Sequence, residues 1–405
     1  MARIKRIGES VKVIINGTGI AGPTLAYWLR RAGHEVLLVE SASQLRTGGY
    51  VIDFGLVGYD IAEKMGLIPQ LQELGYQVKE LRYVDRHGRT SASAPVDALA
   101  RLTNGRYVTV QRSDLAAAIY GALDGAVETI FGDSVASIEE SGDGVRVGFD
   151  HAPARVADLV IGADGLHSRV RELMFGPDAG VEVSLGYQVA AFEVKGYRPR
   201  DELVYLGYGV PGRQVYRFSM RDDTTLFLFV FRDEYLPAGT PANDSERKAA
   251  LTHVFADVGW ECPQILDALA SVDDIYFDRA SQIRMERWTK GRTALVGDAA
   301  ACVSLVAGEG ASLAMAEAYM LAGELRRGGG DYGAAFASYE RQLMPFLTRK
   351  QLSVARTASS LAPKTDFGIQ FRNLAVRLMR RLPLAVDFFI GRQMRDQVQL
   401  PDYGF

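Results

Sequence analysis

The stretch Val11–Glu40, VKVIINGTGIAGPTLAYWLRRAGHEVLLVE, decides the fold. Its ends, VKVIIN and HEVLLVE, are continuous apolar runs of strand length, and between them lie a glycine turn and an amphipathic helical segment, PTLAYWLRRAG. Strands that are apolar on both faces belong inside a parallel sheet, so the stretch is expected to form a βαβ unit. In the turn, Gly17 permits the tight bend, Gly19 lets the backbone approach a pyrophosphate, and Gly22 allows the helix to pack on the sheet. Ile20 and Ala21 stand at the helix entrance, where free N–H groups and a partial positive charge suit phosphate. Glu40 ends the second strand 23 residues after Gly17, placed to accept hydrogen bonds from ribose hydroxyls. The stretch predicts a bound dinucleotide and leaves open whether it is FAD or NAD.

Two further segments bear on that choice. Beyond Arg112 a helical segment, SDLAAAIYGAL, leads to a candidate strand at VETIFG, two alternating strands, SVASIEE and GVRVGFD, and a buried run, DLVIGADG. That run opens Gly162-Ala-Asp164-Gly165-Leu-His167-Ser168-Arg-Val-Arg171, and a later buried strand, RTALV, opens Gly297-Asp298-Ala-Ala, with Gly308-Glu-Gly310-Ala311 at the next helix. Three nucleotide-type turns are more than an NAD domain alone requires. Taken singly, Asp164 could equally cap a helix and Arg171 could lie on a helix surface.

The segment from about Val181 to Arg284 has another texture, with strands such as QVYRFSM and TLFLFVF rich in aromatic and β-branched residues. In TTLFLFVF, Phe227, Phe229 and Phe231 point to one face and Leu226, Leu228 and Val230 to the other, so both faces are expected to be buried. The aromatic character suggests a flat apolar substrate, with Tyr187, Phe192, Tyr216, Phe218, Phe229 and Phe231 as candidate lining, although such stripes also build plain core. The expected division is a discontinuous nucleotide-binding domain at 1–80, 108–180 and 285–345, a substrate domain at 81–107 and 181–284, and a helical segment at 346–405.

At 405 residues, 48% hydrophobic and 23% charged, the chain has the balance of a globular protein of about two to three domains. A net charge of -3 announces no nucleic-acid partner. Cys262 and Cys302 form no CxxC or metal spacing, which makes a reducing cytoplasm the default, and no metal is expected. The basic start MARIKRIG runs into an apolar segment too short for a secretory signal and reads as a floppy lead-in, and no apolar run is long enough to span a membrane. From Arg341 to Phe405, eleven Lys/Arg against four Asp/Glu give +7 and leave -10 on the rest. In QFRNLAVRLMRRLPLAVDFFIGR the arginines flank an apolar stripe, which reads as a helix docked on its own protein, or else as a surface for a membrane or an acidic partner.

On the strength of its three motifs, the sequence resembles the class A, p-hydroxybenzoate hydroxylase-like, FAD-dependent monooxygenases, and within them the tetracycline-inactivating enzymes. The resemblance covers most of the chain and is weakest between Val181 and Arg284. It implies an α/β fold with a Rossmann-like FAD-binding domain, an inserted mixed or antiparallel substrate domain and C-terminal helices. It further implies non-covalent FAD, NADPH or NADH as transient co-substrate, and O2. The product would be a hydroxylated aromatic or polyketide-like molecule, formed through a flavin C4a-hydroperoxide. Carried over residue by residue, Glu40 holds the adenosine ribose, Arg112 lies near flavin and pyrophosphate, Asp164 and Gly165 serve FAD and NADPH, and Asp298 serves the ribityl and pyrophosphate region. Gly308, Gly310 and Ala311 approach the ring, and Arg46, Gly49 and Asp53 belong to a stretch passing beside it.

Departures from the family pattern matter for mechanism. After GDAA the family carries a histidine and prolines over the flavin, where this chain has Ala301, Ser304 and Leu305, and Glu309 and Ser312 replace a glutamine and an asparagine. Those changes keep open an oxidase, a reductase or a ring-rearranging enzyme of the same fold, and a non-catalytic flavin-binding partner protein. The five histidines, His34, His87, His151, His167 and His253, show no nucleophile partner, and no catalytic base is evident. Assembly as a homodimer stays open.

Overall fold

The runs VKVIIN and HEVLLVE become β1 (Lys12–Asn16) and β2 (Glu35–Glu40), parallel neighbours from Lys12 against Glu35 to Asn16 against Val39. Between them, α1 (Ala21–Arg31) buries Leu25, Trp28 and Leu29 and ends on Arg30 and Arg31, cations suited to the negative pole of a helix. The computed structural model describes residues 10–46, 48–96, 101, 103–142, 144–177, 181–236, 239–358, 361–381 and 397–405. The lead-in at 1–9 and the part of the basic segment from 382 to 396 lie outside the described residues.

The chain continues through β3 (Val51–Gly55), α2 (Leu56–Lys64), α3 (Ile68–Leu74), β4 (Glu80–Val84), β5 (Thr90–Pro95) and β6 (Tyr107–Gln111). Next come α4 (Arg112–Gly121), β7 (Glu128–Phe131), β8 (Val135–Ser141), β9 (Gly144–Phe149), β10 (Arg155–Ala157), β11 (Leu159–Gly162) and α5 (Arg169–Phe175). Strands β12 (Glu182–Lys195), β13 (Val204–Val210), β14 (Arg213–Ser219) and β15 (Thr224–Arg232) precede α6 (Asp244–Phe255), α7 (Cys262–Leu269) and β16 (Tyr276–Ile283). The remainder holds β17 (Thr289–Lys290), β18 (Thr293–Leu295), α8 (Asp298–Ala301), α9 (Gly310–Gly328), α10 (Tyr332–Thr357) and α11 (Asp366–Arg381).

Four sheets result among the described residues. A six-stranded sheet has the order β17-β18-β11-β1-β2-β7, parallel except for β17. β1 lies between β2 and β11, so connections diverge there and leave a crevice beyond the carboxyl ends of the strands, which is where such sheets bind ligands. The alternating runs after α4 form an antiparallel meander, β10-β9-β8, and β3 and β6 make a two-stranded antiparallel ribbon. The aromatic strands build a seven-stranded sheet, β16-β12-β15-β14-β13-β4-β5, antiparallel except where β13 meets β4.

Alternation along β15 divides that sheet into two unlike faces. Phe227, Phe229 and Phe231 enter an aromatic core with Leu251, Phe255 and Ile265 of α6 and α7. Leu226 and Leu228 face the other way, toward the ribbon, with Tyr50, Tyr76 and Phe218. Near one edge, α11 seats Val376 on Tyr83, Ala92 and Ala94, and the Arg372 guanidinium lies 3.9 Å from the centre of the Tyr83 ring. The described part of the basic segment thus docks on its own protein. Its outward face is apolar, carrying Phe367, Phe371, Leu374 and Leu378, while Arg372 and Arg377 bond inward to Gln214 and Ser91. Residues 397–405 return to the first helix: Phe405 packs 4.9 Å from Trp28, and Tyr403 donates to Glu324 at 2.8 Å. Among the described residues no helix is long and apolar enough to cross a membrane.

Candidate active site

The glycine turn after β1 is held by close approach. Gly17 has φ +110°, and a Cβ there would lie 2.4 Å from the Ala163 carbonyl oxygen, while one on Gly22 would lie 2.0 Å from that of Gly17. Only glycine fits either place. The entrance of α1 has no side-chain cap and no acidic residue in its first turn, so its N–H groups remain free for an anion. Arg112 comes within 3.9 Å of a Cβ built on Gly19, and among the described residues no hydrogen bond or ion pair engages its guanidinium. Glu40 is buried, and its carboxylate accepts from Thr18 N at 2.9 Å, Thr18 Oγ1 at 2.8 Å and Ala42 N at 2.9 Å. Burial alone would raise its pKa, but the bonds from Ala42 and Thr18, with Arg46 nearby, hold it below the ordinary carboxyl value. Arg46 itself is exposed, 3.9 Å from Glu40, and Gly49 faces open space.

The second motif divides into a cap and a strut. Both oxygens of Asp164 are occupied: Ser168 Oγ donates to one at 2.5 Å, and Asn16 Nδ2, Arg169 N and Val170 N donate to the other at 2.9, 2.8 and 3.1 Å. Asp164 therefore caps α5 and ties it to β1, and Gly165 beside it is open. Arg171, 1% exposed, reaches across to the third motif, donating to Ala299 O at 3.1 Å and Leu166 O at 2.6 Å. His167 is exposed, and the Asp278 carboxylate 3.6 Å away raises its pKa.

The third turn rests on a residue that sequence reasoning missed. Glu317 of α9, 2% exposed, accepts from Gly297 N at 2.7 Å and from the Tyr339 hydroxyl at 3.3 Å, fixing the turn that presents Asp298. Burial pushes its carboxyl well above the ordinary value. The available signal was an acid set inside the apolar helix ASLAMAEAYMLAGEL. Where the resemblance led us to expect prolines, two buried amides do the holding. Gln282 donates to Val303 O at 3.1 Å and to Gln351 O at 2.8 Å, and Gln351 donates to Ile283 O at 2.6 Å and Cys302 O at 3.0 Å. Ser304 is buried with φ +92°, a strained value for a residue with a side chain, and Ala301 lies in the main core. Glu309 pairs with Lys350 at 2.8 Å, and Ser312 donates to Gly55 O at 3.0 Å. Gly308 and Gly310 face open space, with Ala311 half-buried behind them. Cys302 is a buried thiol whose pKa burial pushes well up, which keeps it out of the reactive thiolate form.

Tyr50, Tyr205 and Tyr276 lie between the ribbon and the seven-stranded sheet, keeping some exposure although burial raises all three hydroxyls, and so they border an aromatic recess. Phe218 and Tyr187 are on the sheet face that looks into it, Phe218 against Tyr76 and Tyr205, and Tyr187 beside Leu305. Tyr216 shares that face but packs on Tyr83 near α11. Phe192, Phe229 and Phe231 are placed elsewhere than expected. They lie on the opposite face, closed in beneath α6 and α7, because their strand positions have the parity of Phe227 and not of Leu228. Asp53 turns from the glycine loops toward the recess, bonded to Thr109 and to the Tyr205 hydroxyl. Recess and loops meet at Tyr50. Its ring lies 5.3 Å from Tyr276 of the sheet, while burial raises its hydroxyl, Arg112 draws it back, and Asp298 and Cys302 raise it further. Among the described residues no cluster of three or more His, Cys, Asp or Glu is arranged to hold a metal ion.

The chain is similar to known proteins over most of its length. The family described as FAD binding domain matches residues 10–330. An uncharacterised protein of Mycobacterium tuberculosis is 39% identical over 87% of this chain and 94% of its own length. A flavin-dependent monooxygenase of an unknown prokaryotic organism is 34% identical over 88% of this chain and 92% of its own length. The crystal structure of tetracycline destructase Tet(51) superposes with a TM-score of 0.80 at 31% identity, covering 97% of this chain and 99% of that one.

Proposed function

Because this chain belongs to the FAD-dependent monooxygenase family, an oxidoreductase family with the p-hydroxybenzoate hydroxylase-like fold, we propose that it uses NADPH or NADH and O2 to hydroxylate an aromatic or polyketide-like small molecule. The observation that carries this reading is the junction at Tyr50, whose ring packs on Tyr276 of the recess while Arg112 and Asp298 of the cofactor-side loops act on its hydroxyl. Residues 81–107 and 181–284 would form the substrate domain, and 1–80, 108–180 and 285–345 the cofactor domain. A reducing compartment such as the cytoplasm suits the two cysteines, which are buried and unpaired.

The residues present fit FAD held without a covalent bond. Gly17, Gly19 and the uncapped entrance of α1 would take the pyrophosphate, with the unengaged Arg112 balancing its charge. Glu40 would exchange its bonds from Thr18 for ribose hydroxyls. Asp298, presented by the turn that Glu317 fixes, would meet the ribityl chain, and Gly308 and Gly310 leave room for a planar ring. When bound, FAD supplies electron transfer from nicotinamide to O2 and the insertion of one oxygen atom.

The remaining chemistry belongs to the chain. The N-terminus of α9, with no acidic residue in its first turn, stabilises negative charge beside Gly308. Glu309 would oppose that effect, but Lys350 neutralises it. The clamp by Gln282 and Gln351 on the Cys302 and Val303 carbonyls takes over the rigidity that prolines would give. An anaerobic absorbance titration of the FAD-loaded protein with NADPH and then NADH, with and without planar phenols, tests the reading. Bleaching accelerated by a phenol is the expected result, and a flavin that stays oxidised under every condition would overturn it.

A further inference from the structure

Asp53, on the ribbon, faces the recess with an oxygen to spare. Its Oδ1 accepts from Thr109 Oγ1, directly opposite in the β3–β6 register, and from the Tyr205 hydroxyl at 3.2 Å across the recess. Among the described residues its Oδ2 has no partner. The side chain keeps open surface, yet burial pushes its carboxyl above the ordinary value. Asp53 thus borders the space between ribbon and sheet, with Tyr205 across from it.

Two ladder positions along, on the same face, the pattern repeats. Gln111, opposite Val51, donates to Glu193 Oε1 of β12 at 2.8 Å, and burial, with Asp114 and Asp274 nearby, raises the Glu193 carboxyl as well. Of the cations nearby, Arg221 donates to Leu74 O and Gly75 O, while Arg112, which makes no hydrogen bond or ion pair among the described residues, lies toward Tyr50 and Tyr276 and is not among the influences on Asp53. The titratable groups facing Asp53 are Tyr205 and, beyond it, Tyr107, with Glu193 farther along the recess, and no cation is among the influences on it. An anionic ring substituent between Asp53 and Glu193 would be desolvated beside like charge with no counter-ion, whereas an O–H donor would find a fixed acceptor.

Resting on the reading of the recess as the substrate site, we infer that Asp53, positioned by Thr109 and Tyr205, recognises a proton-donating ring substituent, a phenolic or enolic hydroxyl, and that the Asp53–Glu193 wall turns away aromatic carboxylates.

The test uses the FAD-loaded enzyme and reads ligand binding as a perturbation of the flavin absorbance spectrum, with a naphthol, its methyl ether and the corresponding naphthoic acid as probes. The naphthol is expected to bind about ten- to a hundredfold more tightly than the ether, the worth of one hydrogen bond to a charged acceptor, and the naphthoate more weakly than either. In Asp53→Asn the naphthol preference falls to within about threefold and the naphthoate gains affinity, with FAD occupancy measured in parallel. Tyr205→Phe moves both quantities the same way by less, and stands in if Asp53→Asn fails to hold FAD. In the wild type, naphthol affinity rises with pH through the Asp53 pKa, because the carboxylate is the better acceptor, and this rise is missing in Asp53→Asn. Unchanged selectivity in both variants, or naphthoate binding as tightly as naphthol to the wild type, overturns the inference while leaving the recess as the substrate site. No spectral response to any probe in the wild type overturns the recess reading and the inference with it.

Discussion

Glu317 shows how much one buried side chain can govern. It holds the Gly297 turn through a single oxygen, and its desolvated carboxyl keeps its proton to higher pH in the folded protein than in the unfolded chain. The unfolded chain gives up that proton once pH passes the ordinary carboxyl value, so stability from this group is present below that value and is lost as pH rises toward the raised folded one. Glu317→Gln keeps the acceptor and removes the titration. Its melting temperature is expected to fall less than that of the wild type between about pH 5 and 8, followed by thermal denaturation across that range. Asp298→Ala, at the turn Glu317 supports, is expected to weaken FAD retention by about tenfold, read by flavin fluorescence after dilution.

At the scale of elements, the two faces of β15 are expected to separate stability from binding. Phe229→Ala removes a fully buried ring from the core under α6 and α7 and should cost about 3–5 kcal/mol in chemical denaturation, with substrate affinity unchanged in the protein that remains folded. Phe218→Ala, on the recess face, should instead weaken the binding of a planar ligand. The alternation of TTLFLFVF was legible in the sequence, as were the glycine turns and the strands around them. Which face looks toward the ribbon was not, because a period of two assigns residues to opposite sides without saying what covers each. Long-range partners were illegible for a similar reason: Arg171 and Glu317 act across 128 and 20 positions of chain, on backbone atoms that leave no mark in residue identity. The entrance of α9 carries its own test. Lys350→Met leaves Glu309 unopposed and should lower the flavin midpoint potential by about 10–30 mV, and the double change with Glu309→Gln should restore it, as measured by spectroelectrochemical titration.

For the whole molecule, what counts is how far apart in the chain the supports of the first helix lie. Phe405 and Tyr403 cover Trp28 of α1 and Tyr319 of α9, and a Cβ on Gly323 would lie 2.2 Å from the Tyr403 ring. Removing residues 397–405 should lower the melting temperature and, by loosening α1, reduce FAD occupancy, both measurable on the purified protein. The six-stranded sheet has the same habit, since β1 needs β11 beside it and β11 needs β18. During synthesis the glycine loop therefore leaves the ribosome long before its supports exist, and the aromatic lid over α1 is made hundreds of residues after the helix it covers. Cofactor loading is thus expected late in the life of the nascent chain: chains stalled short of Tyr403 should hold less FAD than chains stalled beyond it, and colour should deepen as that lid leaves the ribosome.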